Sequence, residues 1–510
     1  MSPGSTEYPL QNISVIPFPL DFASLFSRPS GLVDNNWPPD QITYLGLYLK
    51  ELGCKAIIVE SHYVDRDYIL DLSAFYARSL RSYPNHCQRL HFLSCEFSGD
   101  QWTTLFDPVV PEPERHAIYN ELKRGYLGFT AIKPLAGSPI GRTVLKTYSP
   151  TTAGGSTRFF GGIRLYQVHL GGYEFAVEGL AFQQQDQGVS ACATTALWSS
   201  LHKVAHAERI LVPTPAQITE AASRYLLAEG RSFPSEGLNI QQACEAIRGS
   251  GLQPLVVRSV STEEDRAQIA AYVNSGFPPV LAIQPLAGGP GHAICAVGLK
   301  MGDSDALIAP AHHPNHTRLA ESLQALYVHD DRLGPYAVAQ ISPWTHTQNG
   351  QTKILTALQI QWPDKTQGEL SILRALIVPV PDKIRMPVSR MLASGAVLAE
   401  LTGLYFTEFE HRVILNVGYL LGTKYRENAR DFGLTKDGLR TLCCNKVLPR
   451  YVGVIEIMAK EGPLYDVLLD TTETRANPST LLFVCRSAFP TSYQPALRAL
   501  AEQFGTALIV

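Results

Sequence analysis

The sequence predicts an α+β protein: helices packed on one mainly antiparallel sheet in the middle of the chain, with mixed α/β regions on either side. Three observations point that way. Within 161–345 most helical segments come first and most strand-like segments second, an order that lays helices on an antiparallel sheet. On either side, helical and strand-like segments alternate. The length of 510 residues corresponds to roughly three domains at about 150 residues each. The expected divisions are an N-terminal α/β region with an extended arm at 1–160, the central unit at 161–345, and a C-terminal α/β region at 346–510.

Composition sets the outer limits. Apolar residues are 45% and charged residues 17%, against a usual ~25% charged, which excludes a disordered or heavily solvated chain. Lys and Arg number 43, Asp and Glu 46, and the net charge of -3 leaves no electrostatic footprint for nucleic acid. No apolar run reaches about 18 residues, and the most apolar helical candidate, Met391 to Ala399, is bounded by Arg390 and Glu400. No membrane span is expected. Met1 to Phe26 holds Glu7 and Asp21 but no Lys or Arg, so it lacks the basic start of a secretory signal. Nine cysteines, an odd and sparse set, read as reduced thiols in a cytoplasmic protein.

The elements follow in order. Residues 1–35, rich in Pro, Ser and Asn, read as an extended arm. Asp40 stands as the cap of a helix whose apolar positions are Ile42, Leu45, Tyr48 and Leu52. Ala56 to Val59 reads as a buried strand, Tyr68 to Tyr83 as a helix, and His91 to Phe97 and Phe129 to Leu135 as strands. The central unit opens with strand-like Ile163 to Leu170 and Glu174 to Val177, then a helix near Cys192. Thr214-Pro215 caps and starts a second helix, Leu238 to Ile247 makes a third, and Ser261 to Glu264 has capping-box form ahead of a fourth. Strands are expected at Pro279 to Ile283, His292 to Leu299, Ala325 to His329 and Tyr336 to Ile341. The last region has strand patterns at Leu373 to Val380, Tyr451 to Met458, Tyr465 to Leu469 and Leu481 to Val484. Its helices are expected at Val388 to Phe406 and Pro495 to Phe504.

The sharpest chemical signal is the run Gln183 to Cys192 (QQQDQGVSAC), which leads into a helix. Unpaired N–H groups and the dipole at a helix N-terminus favour a thiolate and present donors to an oxyanion. Cys192 stands at such a position, with small neighbours Ala191, Ala193 and Thr194. The competing reading is an ordinary buried helix cysteine. A thiolate needs a base, and His292 starts a strand just after a Gly-rich loop, Gly288 to Gly291. The imidazole in turn needs an acceptor, and Asp330 and Asp331 end a later strand. Alternation lets one of them face His292; Asp330 is preferred, with Asp331 left to bind Arg332 or cap the turn.

This order, a Gln-rich lead, Cys192 opening a helix, Gly291-His292-Ala-Ile, then Val328-His-Asp330, resembles the papain-fold cysteine peptidases. The branch it is most similar to clips double-glycine leaders from bacteriocins, and the likeness spans 161–345 only. The resemblance implies a papain-like core and a protein or peptide substrate, with no cofactor and no metal. It makes Cys192 the nucleophile, His292 the general base and acid, and Asp330 the residue that orients His292. It places the oxyanion Gln about six residues before the cysteine, where this chain has Asp186; Gln185 and Gln187 flank it, and Gln185 is preferred. Ala193 stands where the family usually has Gly, and 38 residues separate His292 from Asp330, a longer span than in compact members. The same triad would serve acyl transfer to an amine, as in transglutaminase-like or amidase chemistry, and an inactive peptide-binding module is the third reading.

Other groupings read as structural. His312, His313 and His316 suggest a solvated loop rather than a metal site. His91 and Cys95 would lie about 13 Å apart along a strand, too far to share one zinc ion. Glu60 to Asp67 reads as a salt-bridged loop, and Cys443-Cys444 as core. His202 is ten residues beyond Cys192 on the same helix, roughly 15 Å away, and cannot serve it.

Overall fold

The structure is a computed structural model. It describes residues 12–19, 21–26, 37–135, 137–152, 155–186, 188–224, 232–302, 316–348, 351–362, 368–409, 413–459, 462–473, 480–487 and 489–510. It is a mixed α and β structure built largely from antiparallel sheets. The N-terminal sheet runs β1 (Ile13–Pro17), β2 (Ala56–Tyr63), β3 (Cys87–Leu93), β4 (Tyr126–Ile132) and β5 (Ile140–Leu145), each antiparallel to the next. Part of the expected arm is therefore an edge strand, since Ile13 to Pro17 pairs with Glu60 to Ala56. The helices here are α1 (Asp40–Glu51), α2 (Arg66–Ala74), α3 (Gly99–Thr104) and α4 (Glu112–Gly125). Asp40 is the first residue of α1 rather than its cap; Pro39, held extended, takes the cap position. The helix expected over 68–83 stops at Ala74, because Phe75 leaves helical geometry at φ -132. β3 sits upstream of the expected 91–97.

Next come a short strand β6 (Thr157–Phe159) and a separate hairpin, β7 (Arg164–Leu170) with β8 (Tyr173–Gly179). Helices α5 (Cys192–Ala207), α6 (Pro215–Ala222) and α7 (Ile240–Gly249) follow, then β9 (Gln253–Arg258) and α8 (Thr262–Asn274). Side chains of Thr214, Asn239 and Ser261 cap α6, α7 and α8. β10 (Val280–Pro285) and β11 (His292–Met301) start the main sheet; β12 (His316–Arg318) leaves it for the C-terminal sheet. β13 (Leu323–Asp330), β14 (Gly334–Gln348), β15 (Gln351–Ile360) and β16 (Glu369–Val380) complete it.

This sheet closes on itself. Pairing runs β10-β11-β13-β14-β15-β16, and β16 returns to pair with β10, giving an antiparallel six-stranded barrel. One edge of β16 takes β10; the other is shared by β15 and, further along, β9. The barrel therefore extends to Val380, past the division expected at 345. The sequence hid this because residues 342–356, SPWTHTQNGQTKILT, are too polar to read as strands. α5 packs outside the barrel against β10, β11, β13 and β16. Leu197, Trp198 and Leu201 of α5 are fully buried, and β11 is buried along eight successive residues.

The C-terminal sheet has the order β12, β17 (Val413–Leu421), β18 (Tyr451–Ala459), β19 (Gly462–Asp470), β20 (Thr480–Cys485) and β21 (Leu508–Ile509). Its end strands β12 and β21 pair parallel and the inner ones antiparallel. α9 (Val388–Tyr405), α10 (Gly422–Glu427), α11 (Lys436–Arg440) and α12 (Gln494–Gln503) accompany it. Among the described residues no helix is long and apolar enough to cross a membrane. One apolar core runs from the N-terminal sheet through the barrel into the C-terminal sheet.

Because α5 is clamped to the barrel by fully buried side chains, emptying that seam should cost stability. Leu201→Ala is expected to lower unfolding free energy by about 2–5 kcal/mol, read from the urea midpoint, if the seam stays unfilled.

Candidate active site

Cys192 is the first residue of α5 and lies half-buried in the wall of a cleft. The cap residue, Ala191, is extended and has no side chain to offer the first turn, and no acidic residue stands in that turn. Among the described residues no side chain caps the first turn, so its N–H groups and positive helix end face the sulfur.

Asp186 shapes the loop ahead of the helix. Its Oδ1 accepts the N–H groups of Gly188, Val189 and Ser190 at 2.9, 2.6 and 3.1 Å. Its own N–H donates to the Ser190 carbonyl at 2.8 Å. Burial alone would raise this carboxyl, but Lys133 at 3.6 Å and the three amides hold it below its ordinary value. Asp186 is thus a loop organiser, not a substitute oxyanion donor. Gln185 beside it is half-buried and lines the cleft with Cys192. Gln184 points Oε1 at the Ile140 N–H, and Gln187 lies outside the described residues.

His292 opens β11 after a loop in which Gly288 and Gly289 adopt φ +89 and +101, conformations that suit glycine. Gln284 Nε2 donates to the Gly289 carbonyl at 2.8 Å and fixes that loop. The ring Nε2 lies 2.8 Å from Asp330 Oδ1, and Cys192 stands beside the ring. The imidazole therefore neighbours both thiol and carboxylate. Burial disfavours its charge, but Asp330, Cys192 and Asp331 together outweigh burial and raise its pKa to about 10.

Both aspartates approach the ring. Asp331 Oδ1 is 3.7 Å from Nε2. Strict alternation fails because the β13 register shifts before Asp330 and 331–333 form a turn. Arg332, expected on Asp331, goes instead to Asp330 Oδ2 at 3.3 Å and to Glu369 at 2.7 Å. Asp330 also accepts the Arg332 N–H at 3.0 Å. Burial pushes the Asp330 carboxyl up, but His292 and Arg332 outweigh it and hold the group well below the usual carboxylate range. Asp331, fully buried and with no hydrogen-bond partner for Oδ2 among the described residues, is pushed up by burial. His329, next along β13, is a contrast: it sits among Phe182 and Tyr336 rings, and burial lowers its pKa to about 3.

Ligand atoms of His292, Asp330 and Asp331 lie within 4.8 Å of one another, the spacing of a metal site. Here Nε2 and Oδ1 are already bonded to each other and Arg332 supplies the neighbouring cation. The cleft has a volume of about 1600 Å³. It is lined by the residues ahead of Cys192, by helix α7, by Val280, Ala282, Ala375 and Ile377 of the barrel, and by Val256 and Arg258 of β9. Gln41 and Ser138 of the N-terminal region also reach it, which no sequence signal announced.

The remaining groupings fall elsewhere. His312 and His313 lie outside the described residues; His316 begins β12. Glu60 pairs with Arg89 at 2.8 Å, and Asp65 caps α2 and meets Arg142 at 2.7 Å. Cys443 and Cys444, expected in the core, are exposed. They lie in a single wide π-helical turn, 441–445, whose buried residue is Leu442. No protein-family model matches this chain, and no curated protein matches it.

The raised His292 pKa carries a stability signature. The folded ring binds its proton up to about pH 10, the free ring only to 6.5. Its contribution is therefore full below pH 6.5 and fades as pH rises toward 10. Urea midpoints measured across that window should fall in the wild type and flatten in His292→Gln.

Proposed function

We propose that this chain is a papain-like cysteine peptidase that cleaves a peptide or isopeptide bond. One observation carries the reading: a thiol at a helix N-terminus and an imidazole line one cleft side by side, and the imidazole is held at 2.8 Å by a buried carboxylate. The closed barrel with the nucleophile helix packed on its outside is consistent with a papain-like core.

The chemistry follows from the groups present. Cys192 and His292 start as a thiolate–imidazolium pair, the ring holding the proton that the thiol gave up, and the thiolate attacks the substrate carbonyl carbon. First-turn N–H groups of α5 and the Gln185 amide hold the resulting oxyanion. The C–N bond breaks as His292 protonates the departing amine, leaving a thioester on Cys192. His292 then takes a proton from water, whose oxygen attacks the thioester; the C–S bond breaks and the acid leaves. Asp330 keeps the ring oriented and offsets its positive charge. Arg332 and Glu369 fix Asp330 from behind.

The test is alkylation of Cys192 by iodoacetamide, followed by mass spectrometry against the other eight cysteines. Wild type should label fast at pH 6, and His292→Ala should slow labelling by about 10²-fold or more. Asp330→Asn should fall between them. Labelling of Cys192 no faster than the other thiols, and indifferent to His292, overturns the reading. With a peptide substrate, gain of one water marks hydrolysis and loss of ammonia marks transfer to an amine.

A further inference from the structure

The loop that delivers the nucleophile is built from two parts of the chain. Residues 186–190 precede Cys192, yet the groups that hold them come largely from the N-terminal region. Lys133, directly after β4, is almost wholly buried and reaches Asp186 Oδ2 at 3.6 Å. The Tyr76 hydroxyl stands against the same loop, 3.2 Å from where a Cβ on Gly188 would lie. At Gly188 a Cβ would lie 2.5 Å from the Phe75 ring, so that ring seats directly on the loop. Val189 is fully buried in a cluster with Tyr68, Tyr76 and Leu135. Behind them Asp71 accepts the Ala216 N–H at 3.0 Å, tying α2 to α6.

A lysine ammonium out of water is costly unless an anion answers it. Lys133 Nζ makes no hydrogen bond among the described residues, and its ion pair is with Asp186. The Asp186 carboxylate spends its other oxygen on three loop amides. The ammonium therefore favours ionised Asp186, the stronger acceptor for all three amides, and so helps fix where the chain enters α5.

We propose that Lys133 is a positioning residue for Cys192, acting through Asp186, so that docking of the N-terminal region sets the reactivity of the nucleophile. The proposal rests on the thiol-nucleophile reading of Cys192. It makes the first region a built-in part of the site and a means of regulating it. A partner or strain that lifts Lys133 and Tyr76 from the loop would silence the thiol without touching the triad.

The test follows the rate of Cys192 labelling by iodoacetamide from pH 5 to 9 in the full chain, with thermal melts alongside. Lys133→Met should slow labelling at pH 6 by about tenfold or more and move the profile to higher pH, as loss of a supporting contact does. Lys133→Arg, which keeps the charge, should restore most of the rate. Asp186→Asn keeps an oxygen for the loop amides but removes the charge that answers Lys133, and should slow labelling by about three- to tenfold. If Lys133→Met does not fold, Asp186→Asn decides. Wild-type rates and profiles in folded variants, even with lower melting temperatures, overturn the proposal. Slow wild-type labelling at pH 6 overturns the nucleophile reading and this proposal with it.

Discussion

A charged carboxylate at the fully buried end of β13 is the constraint around which this site is arranged. Asp330 is wholly out of solvent, so its charge must be answered by the protein. Three groups do so: the His292 ring at 2.8 Å, the Arg332 guanidinium at 3.3 Å and the Arg332 N–H at 3.0 Å. That demand fixes the register of β11 against β13, since the ring must arrive from the neighbouring strand. It also favours a charged imidazole over a neutral one, and so makes the ring a ready donor of a proton. His329, one residue earlier, shows what the same sheet does to an imidazole with no carboxylate beside it.

The second layer of order lies on the other side of the thiol. Asp186 is a buried acid too, but its partners are three consecutive amides and a lysine rather than an imidazole. The two acids divide the work. Asp330 governs the base, and Asp186 governs the path of the chain into the nucleophile helix. Asp331 belongs to neither role cleanly. It adds a further carboxylate at 3.7 Å from the ring and is kept from ionising easily by burial.

Much of this was legible where the cue was local. A glycine-rich loop before His292, small residues around Cys192 and an acidic pair ending a strand are signals carried by a few adjacent positions. Helix caps at Thr214 and Ser261 are of the same kind. What sequence could not supply is pairing over distance. β15 and β16 complete the barrel through long-range ladders, and the polar stretch between Ser342 and Thr356 gives no strand pattern to read. β12 is three residues long and finds its partner almost a hundred positions later, at Val413 to Leu415. Lys133 carries no motif at all; its meaning comes from what the fold sets opposite it. Adjacent acids also mislead, because alternation ends where a strand ends, and Asp330 and Asp331 straddle that point.

The strand that closes the barrel is also the last of its six to be made. β10 must wait for β16, and Val380 leaves the ribosome 188 residues after Cys192. At the usual pace of about 5–20 residues per second, the interval is roughly 10–40 s. Throughout it, the cysteine exists while the sheet beneath its helix is an open one. A nascent chain of this protein therefore carries a thiol whose setting is unfinished, and the order of synthesis itself delays the moment at which that thiol gains a rigid floor.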